Sequence, residues 1–486
     1  MPGTQSLHSA LAYIALASCS IPARAELVYF EKGGQAQLPA TIEGETVRLD
    51  TPDGVVEFRR DEFRKIVPGF WPAREWNARR EAALAKGVEE RYAAAWWALE
   101  NGLTPQAVAM IRDAAALDPK YPPIARMIAA LDRLAKPCAD PPLEALAKAL
   151  GEKAREARGP HVVLVHQHDE SEANERIDLL ERVVTSYYLT FAALGIELPE
   201  PSTRLASAWF AERDDYIAYL KSENAGAFLT TRGYYHPTRG AVVAYDCRSD
   251  TDRQTARTQI AARWEELSHL SRAVRRLRSP TDRLRLDLPG EGAKQFDRAQ
   301  ALDKIAEFER DLKRRELLMD LDRRALDLGT AAHEMIHQLM ARTGLPARHH
   351  EFPQWLHEGL AAQFEVYRGG RWAGISRAHD FRLPDWRKLK NPPELKPLLK
   401  DEGFGHGYAR DVYAQSWALV YFLRKEHPAE FTTFLDLLRA PDPENRKDSE
   451  RILARFQEAF GDDLDALEES WIEFIDAEQT PLDENG

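Results

Sequence analysis

The sequence has few cysteines, no long apolar run in its body and no excess of positive charge. Each of these features argues against one class of site or protein. Of its three cysteines, Cys138 and Cys247 lie outside the N-terminal segment, and neither has the spacing of a metal-ligating pair. After about residue 30 no apolar run is long enough to cross a bilayer. A formal net charge of -12 argues against a general nucleic-acid binder, because phosphate contacts need clustered Lys and Arg.

The remaining composition is that of a water-soluble globular protein, with 44% hydrophobic and 30% charged residues. A chain of 486 residues is too long for one hydrophobic core, so we expect roughly three units. The basic run at 272–278 is typical of a solvated helix face and does not change the prediction of no nucleic-acid partner.

Residues 1–25 have the pattern of an export signal. An apolar run at 10–17 precedes small residues at 23–25, where a signal peptidase would cleave, although no Lys or Arg comes before the run. Alternatively, residues 16–19 are similar to a lipobox, in which Cys19 would carry a lipid anchor and provide the only membrane attachment. A third interpretation is an N-terminal helix that stays attached. The first two predict an exported protein, periplasmic or secreted.

Export to an oxidising compartment would permit a disulfide between Cys138 and Cys247. These residues lie in different predicted domains, however, so two separate buried thiols fit the sequence equally well.

Hydrophobic periodicity divides the rest of the chain into three predicted domains. Alternating apolar residues and Gly-containing turns predict a small β module over 26–68. Over 72–150 the period is helical, and small residues ending in Asp-Pro predict one tetratricopeptide-type hairpin with flanking helices. Such helices could bind a protein partner, although an ordinary helical linker has the same pattern. From 161 to 486 strands and helices mix, interrupted over 252–328 by a charged, mostly helical insertion, so we predict an α+β fold.

Residues 331–339 contain the pattern His-Glu-x-x-His within apolar flanks. Helical spacing places His333 and His337 one turn apart on one face, where two imidazoles can chelate one zinc ion. Glu334 is rotated by about 100° around the helix, so it can take a proton from a water at the metal without being a ligand. An unpaired buried His-Glu-His group would be unfavourable without a metal or hydrogen-bond partners. We therefore predict one Zn²⁺ per chain, with Glu334 as general base.

A second amphipathic helix over 353–364 carries Trp-Leu-His-Glu-Gly-Leu-Ala, with its glutamate at Glu358. This combination, together with 413–421 and the closing Phe-Gly and Trp residues, resembles the peptidase-MA-like gluzincins, zinc metallopeptidases often joined to tetratricopeptide-type helices. The resemblance implies a zincin-like catalytic domain with a mixed sheet and a helical C-terminal subdomain. It also implies that Glu358 is the third zinc ligand and that the substrate is a peptide or protein.

The sequence also contains alternatives to Glu358 as the third ligand. A metzincin would need Gly at the position of Met340 and His at that of Thr343, and the sequence has neither. The remaining alternatives are three histidines downstream of the motif: His349, His350 and His357. His357 would point away from the metal if its neighbour Glu358 points towards it.

Peptide hydrolysis also needs a group that stabilises the oxyanion. In gluzincins a Tyr or His beyond the third ligand does this, which implies Tyr413 here, with Tyr408 and His406 as alternatives. By structural analogy the substrate would add itself to an edge strand of the sheet, for which 240–245 is the candidate.

Two other functions remain compatible with the sequence. The protein could be a non-catalytic exported binding module that uses its tetratricopeptide-type helices, with a structural or relict metal site. The same zinc site could also hydrolyse a non-peptide amide or ester. Glu334 favours an enzyme, because a structural site has no use for a base beside its ligands.

Overall fold

The computed structural model describes residues 24–276, 283–288, 292–345, 352–375, 377–404, 409–440, 448–480 and 483. Residues 1–23, which include Cys19 and nearly all of the predicted export signal, lie outside these ranges. The described residues form many helices and several small sheets, which confirms the predicted α+β class.

The first part of the chain forms a five-stranded antiparallel sheet. Its strands are β1 (Arg24–Phe30), β2 (Gln35–Glu43), β3 (Thr46–Thr51), β4 (Gly54–Arg59) and β5 (Phe63–Pro68). They lie in the order β4-β3-β2-β1-β5. The β1–β2 turn contains Gly33 and Gly34, whose φ angles of 84° and 91° would strain any other L residue. We call this sheet the β module.

Five helices follow, and they share a core with the rest of the chain. They are α1 (Pro72–Leu84), α2 (Val88–Glu100), α3 (Thr104–Leu117), α4 (Pro122–Leu134) and α5 (Glu144–Leu150). Helices α2 and α3 pack along each other as a hairpin, which turns at Gly102 with a φ of 70°. Ala107 and Ala114 are fully buried in a hydrophobic cluster that extends to the region around His333. The helices therefore do not form a separate unit.

The central sheet is mixed. Its strands are β6 (Arg155–Arg158), β7 (Val162–His166), β8 (Leu205–Phe210), β9 (Gly233–His236) and β10 (Ala241–Tyr245), and its connections include helices α6 (Glu170–Ala193) and α7 (Arg213–Ser222). The order is β6-β7-β8-β10-β9, with β7, β8 and β10 parallel and both outer strands antiparallel. Val162 and Leu164 enter one hydrophobic cluster and Val163 and Val165 the other, so both faces are covered.

The expectation that 240–245 is an edge strand is wrong. Strand β10 pairs on one side with β8 and on the other with β9, so its backbone is already occupied. Among the described strands the open edge on this side belongs to β9. Both segments are short, apolar and close in sequence, and only the pairing partners distinguish the inner strand from the outer one.

The charged insertion forms a helical arm. It consists of α8 (Thr251–Arg275), the hairpin β11 (Leu284–Leu288) and β12 (Gly292–Phe296), and the first half of α9 (Arg298–Thr343). The predicted end of the insertion at residue 328 falls inside α9, because this helix continues for 46 residues, roughly 70 Å, into the His-Glu-x-x-His segment. Asp297 caps its start in a capping box, and Gly344 ends it in the left-handed conformation with a φ of 62°.

The arm supports the β module. Leu317 of α9 is part of the hydrophobic core of the β module. Ion pairs surround this contact, with Lys32 Nζ 2.8 Å from Glu307 Oε1 and Arg310 Nε 3.0 Å from Glu62 Oε1. The outer half of the helix that carries the predicted ligands is thus held by the first domain of the chain.

The remaining elements form a mostly helical C-terminal region. They are α10 (Gln354–Ala362), β13 (Tyr367–Arg368), β14 (Arg371–Trp372), α11 (Arg382–Trp386), α12 (Leu395–Leu399), α13 (Ala409–Glu426), α14 (Pro428–Arg439), α15 (Asp448–Phe460) and α16 (Leu464–Ala477). Helices α10 and α13 touch at Gly359, where a Cβ atom would lie 2.4 Å from the carbonyl oxygen of Ser416. Only glycine permits this approach.

The sequence left open whether the two cysteines of the body pair with each other. Cys138 and Cys247 are both buried free thiols and do not form a disulfide with each other. Among the described residues, no helix is long and apolar enough to span a membrane.

Candidate metal centre

The last turns of α9 and the middle of α10 bring three predicted ligands together. His333 Nε2 lies 3.0 Å from His337 Nε2 and 3.1 Å from Glu358 Oε2. The third distance, from His337 Nε2 to Glu358 Oε2, is 3.6 Å. Three donor atoms, all from the segment between His333 and Glu358, thus form one small triangle.

The triangle has the size that zinc needs. Tetrahedral ligands at about 2.0–2.1 Å from the metal are separated from one another by roughly 3.3–3.4 Å. The three observed distances, 3.0, 3.1 and 3.6 Å, lie on both sides of that value. Two neutral imidazoles and one carboxylate are also a ligand set that zinc accepts. The side chains therefore fit a zinc ion without rearrangement of the backbone.

Neighbouring contacts fix the two helices that carry the ligands. The side-chain amide of Gln338 donates to the carbonyl oxygens of Ala206 and Gly240, at 3.1 and 2.8 Å, and so attaches α9 to strand β8 and the start of β10. Trp355 and Leu356 of α10 are fully buried. The ligands therefore belong to packed elements, which favours a pre-organised site.

A second layer of polar residues holds His333, and the sequence analysis missed it. His333 Nδ1 donates to Glu365 Oε2 at 3.0 Å, which directs the other ring nitrogen towards the predicted metal position. Glu365 Oε1 in turn accepts from His379 Nε2 at 2.7 Å and from Arg382 Nε at 2.8 Å. The only sequence signal was that Glu365 follows Glu358 by two helical turns. No sequence signal indicated His379 or Arg382.

The charges around the site favour a cation. Burial alone would lower the pKa of His333, but its hydrogen bonds to Glu358 and Glu365 raise that pKa to about 10. Burial would also raise the pKa of Glu358, yet the charges of His337 and His333 keep it well below its usual range. Arg382 and His379 have the same effect on the pKa of Glu365. Carboxylates thus stay ionised on both sides of one imidazole.

Glu334 lies beside the triangle without belonging to it. Its carboxylate accepts a hydrogen bond from the backbone N–H of Tyr235 in strand β9. Burial raises its pKa, although His337 and His333 partly offset that effect. Within the described residues no Lys or Arg forms an ion pair with Glu334. Its position and raised pKa are those of a general base.

Tyr413 lies near the same groups. Burial raises the pKa of its phenol, and the negative charges of Glu358 and Glu334 raise it further. The guanidinium of Arg382 lies 5.4 Å from the centre of the Tyr413 ring. The phenol is therefore protonated near neutral pH and can donate a hydrogen bond. The alternatives Tyr408 and His406 lie outside the described residues.

The alternative histidine ligands do not join the triangle in the part of the chain that the structure describes. The His357 ring stacks on His337, with centroids 4.4 Å apart and planes at 8°. Burial lowers the pKa of His357 to about 3, so the ring is uncharged and serves to pack against its neighbours. His349 and His350 lie outside the described residues.

His168, Glu172 and Asp246 form a second cluster of metal-ligating type. Arg248 already occupies both of its carboxylates, at 2.7 Å from Glu172 and 2.5 Å from Asp246. Arg176 lies 3.7 Å from Asp246 on another side. Guanidinium groups therefore neutralise this cluster, and it is better explained as a buried ion-pair network.

Comparison with known proteins adds one match. Residues 327–443 match a family described as "Protein of unknown function (DUF1570)". The matched segment contains the three candidate ligands, Glu334 and Tyr413, and also the second layer around Glu365. No curated protein sequence matches the chain.

Proposed function

We propose that the protein is a zinc metallopeptidase of the gluzincin type, with His333, His337 and Glu358 as zinc ligands. The observation that carries the proposal is the triangle of three donor atoms, 3.0–3.6 Å apart, beside the half-buried carboxylate of Glu334, which is not one of them. The zincin-like fold is part of the same proposal. It is supported by a mixed sheet whose edge strand lies against the His-Glu-x-x-His helix.

Glu334 would move the proton in the reaction. A zinc ion, when bound, supplies Lewis acidity that polarises the scissile carbonyl and makes water acidic enough to react near neutral pH. Glu334 would accept the proton of the attacking water and pass it to the leaving amine, a role suited to its raised pKa. The hydrogen bond from Tyr235 N–H would hold the carboxylate in one orientation.

Tyr413 and strand β9 would position the substrate. The Tyr413 phenol would donate a hydrogen bond to the carbonyl oxygen as negative charge develops on it. Strand β9 has an open edge among the described strands, and an extended peptide could pair with it beside Glu334. A peptide or protein substrate therefore suits the site better than a compact small molecule.

Hydrolysis is preferred to a purely structural metal site because of Glu334. A structural zinc site has four closed ligands, whereas three ligands leave a position for water. A partly desolvated carboxylate that forms no ion pair with Lys or Arg is destabilising, and such groups are found more often at reactive sites than elsewhere. Glu334 is such a group in the described part of the chain.

The test is to measure zinc content and hydrolysis on one preparation of the purified protein. We expect about one zinc per chain and cleavage of an unstructured substrate such as casein, lost on chelation and restored by zinc. Metal analysis and gel electrophoresis of the digest would provide both readouts. A folded protein that takes up no zinc after the metal is added back would overturn the proposal.

A further expectation concerns the second layer. Glu365→Gln keeps the shape of the side chain but removes the negative charge that His333 faces, so we expect zinc affinity to fall by about 10–100-fold. Competition with a chromophoric chelator would measure it. The matched control is Glu181→Gln, which alters a similar pair at 2.7 Å from His161 and should leave zinc affinity unchanged. Equal affinities for Glu365→Gln and wild type would show that Glu365 has no such role.

A further inference from the structure

A pocket of about 220 Å³ lies away from the metal centre, where the β module, the helices α1–α3 and the segment after β13 meet. Four arginines line it, namely Arg182, Arg368, Arg371 and Arg377. No Asp or Glu is among its lining residues, although the whole chain carries a net charge of -12. The pocket is therefore a concentrated positive site in an acidic protein.

Most of this positive charge is not neutralised within the described residues. Arg368 Nε contacts Asp380 at 2.6 Å, but Arg182, Arg371 and Arg377 form no ion pair there. Burial lowers the pKa of Arg377, and the charge of Arg368 lowers it further. A half-buried guanidinium that forms no ion pair is unfavourable, so an anion in the pocket would stabilise it.

Two carboxylates, Glu100 and Glu478, act on Arg377 from outside the pocket. Their charges raise its pKa only as minor effects, whereas burial and the charge of Arg368 lower it. The Glu100 carboxylate is already paired with Lys425, at 2.6 Å. Neither acid lines the pocket.

Two of the arginines lie over aromatic rings that line the pocket. The guanidinium of Arg371 lies 5.0 Å from the centre of the Trp71 ring, and that of Arg377 lies 5.5 Å from the centre of Phe70. A stacked guanidinium keeps its N–H edge free for a carboxylate or phosphate, which it can bind through two parallel hydrogen bonds. The pocket therefore combines cationic edges with apolar surface.

Two buried amide side chains also line the pocket with an atom that lacks a partner. Gln37 is 6% exposed and Asn101 is 4% exposed. Each donates one hydrogen bond to a backbone carbonyl, but Gln37 Oε1 and Asn101 Oδ1 have no partner among the described residues. Buried polar atoms are normally satisfied, and an amide oxygen needs a donor, so these two oxygens call for a water or an N–H or O–H group of the ligand beside the anion.

Backbone elements add to the positive potential and keep the pocket in shape. Helix α1 begins at the pocket with Pro72, and the N-cap residue of α3, Leu103, also lines it; helix N-termini attract anions. Gly374 and Gly102 touch backbone to backbone, since a Cβ on Gly374 would lie 2.2 Å from Gly102 N. This contact joins the helical hairpin to the segment after β14, so little ordering is needed on binding.

We propose that this pocket binds a carboxylate or phosphate group carried on a small apolar body. Its volume suits a group about the size of one amino acid rather than a drug-sized molecule. The shared chemistry could come from a free phosphate-bearing molecule or from the terminal carboxylate of a peptide. Binding requires neither the metal nor Glu334, so this site stands independently of the proposed peptidase.

Titration calorimetry on the metal-free purified protein would test the proposal with three probes: inorganic phosphate, N-acetylphenylalanine and N-acetylphenylalanine amide. We expect one anionic probe at least to bind, and more weakly as salt is raised. Phosphate alone would indicate a phosphate-bearing ligand. N-acetylphenylalanine binding roughly 10–100-fold tighter than its amide would indicate a carboxylate. Failure of both anions to bind, or equal binding of the amide, would overturn the proposal.

Substitutions of single arginines test whether the probe binds in this pocket. Arg371→Gln changes an exposed side chain and should fold normally, while Arg377→Gln removes a half-buried cation, and each should weaken binding of the probe by roughly 10-fold or more. The matched control is Arg79→Gln, which removes an arginine stacked on Trp97 at 4.5 Å outside the pocket. If Arg377→Gln does not fold, Arg371→Gln decides. Equal loss in the Arg79 control, or no loss in Arg371→Gln, would place binding elsewhere.

Discussion

Glu334→Gln is expected to abolish peptide hydrolysis while leaving zinc bound. The amide has nearly the same shape as the carboxylate and can still accept the hydrogen bond from Tyr235 N–H. It cannot accept a proton from water, and general base catalysis contributes about 10²–10⁴-fold to a rate. We therefore expect kcat/KM to fall by about that factor, measured with a quenched fluorescent peptide that the wild type cleaves.

Zinc content separates this prediction from simple damage to the site. Glu334 is not one of the three residues in the donor triangle, so the variant should keep about one zinc per chain. Glu316→Gln is a suitable control, because it changes the same chemical group on the same helix beside Trp264, in the arm. Full activity in Glu334→Gln would rule out this residue as the base. Loss of zinc together with activity would make it a structural residue instead.

Glu358→Ala is expected to remove the zinc. The variant leaves only two imidazoles, and it also removes the carboxylate that lies 3.1 Å from His333 and 3.6 Å from His337. The loss should exceed the 10–100-fold effect of a second-layer partner, so the protein should purify without metal. Metal analysis would measure the stoichiometry.

A thermal melt provides an independent readout of the same variant. Zinc that binds only the folded state stabilises it by about 2.7 kcal/mol at one hundred times Kd, so added zinc should raise the wild-type Tm. Glu358→Ala should show no such rise at the same zinc concentration.

His357→Ala provides the matched control for Glu358→Ala. It removes the neighbouring residue, whose ring stacks on His337 at 4.4 Å, without touching the donor triangle. It should therefore retain zinc. The opposite pattern, with zinc lost in His357→Ala and kept in Glu358→Ala, would indicate that His357 is the third ligand. It would reject the gluzincin assignment.

Sequence reasoning worked best where the geometry is local. The helix period alone predicts that His333 and His337 share a face, and the structure has both on one unbroken helix. Period-2 alternation and glycine turns likewise predicted strands in the first seventy residues, and five are present. Glu358 was different, because its role was implied by a resemblance and not by spacing.

Where prediction failed, the missing information was long-range. The composition of strand β10 does not reveal that β9 pairs outside it, so the sequence alone predicts β10 as the edge strand. The sequence predicts that the insertion ends at residue 328, because a charged helical stretch followed by an apolar one has the pattern of two separate elements. In the structure a single helix leaves the arm and enters the core.

The sequence by itself determined the α+β class, the shared helix face of His333 and His337, and the adjacent carboxylate of Glu334, because backbone period sets all three. Tertiary structure alone decided that Glu365, His379 and Arg382 would support His333, and that four arginines would line one pocket. These groups come from loops and from separate helices and strands, and no local period relates them. Their meeting depends on how the sheets and helices pack, because packing brings distant charges within reach of one another.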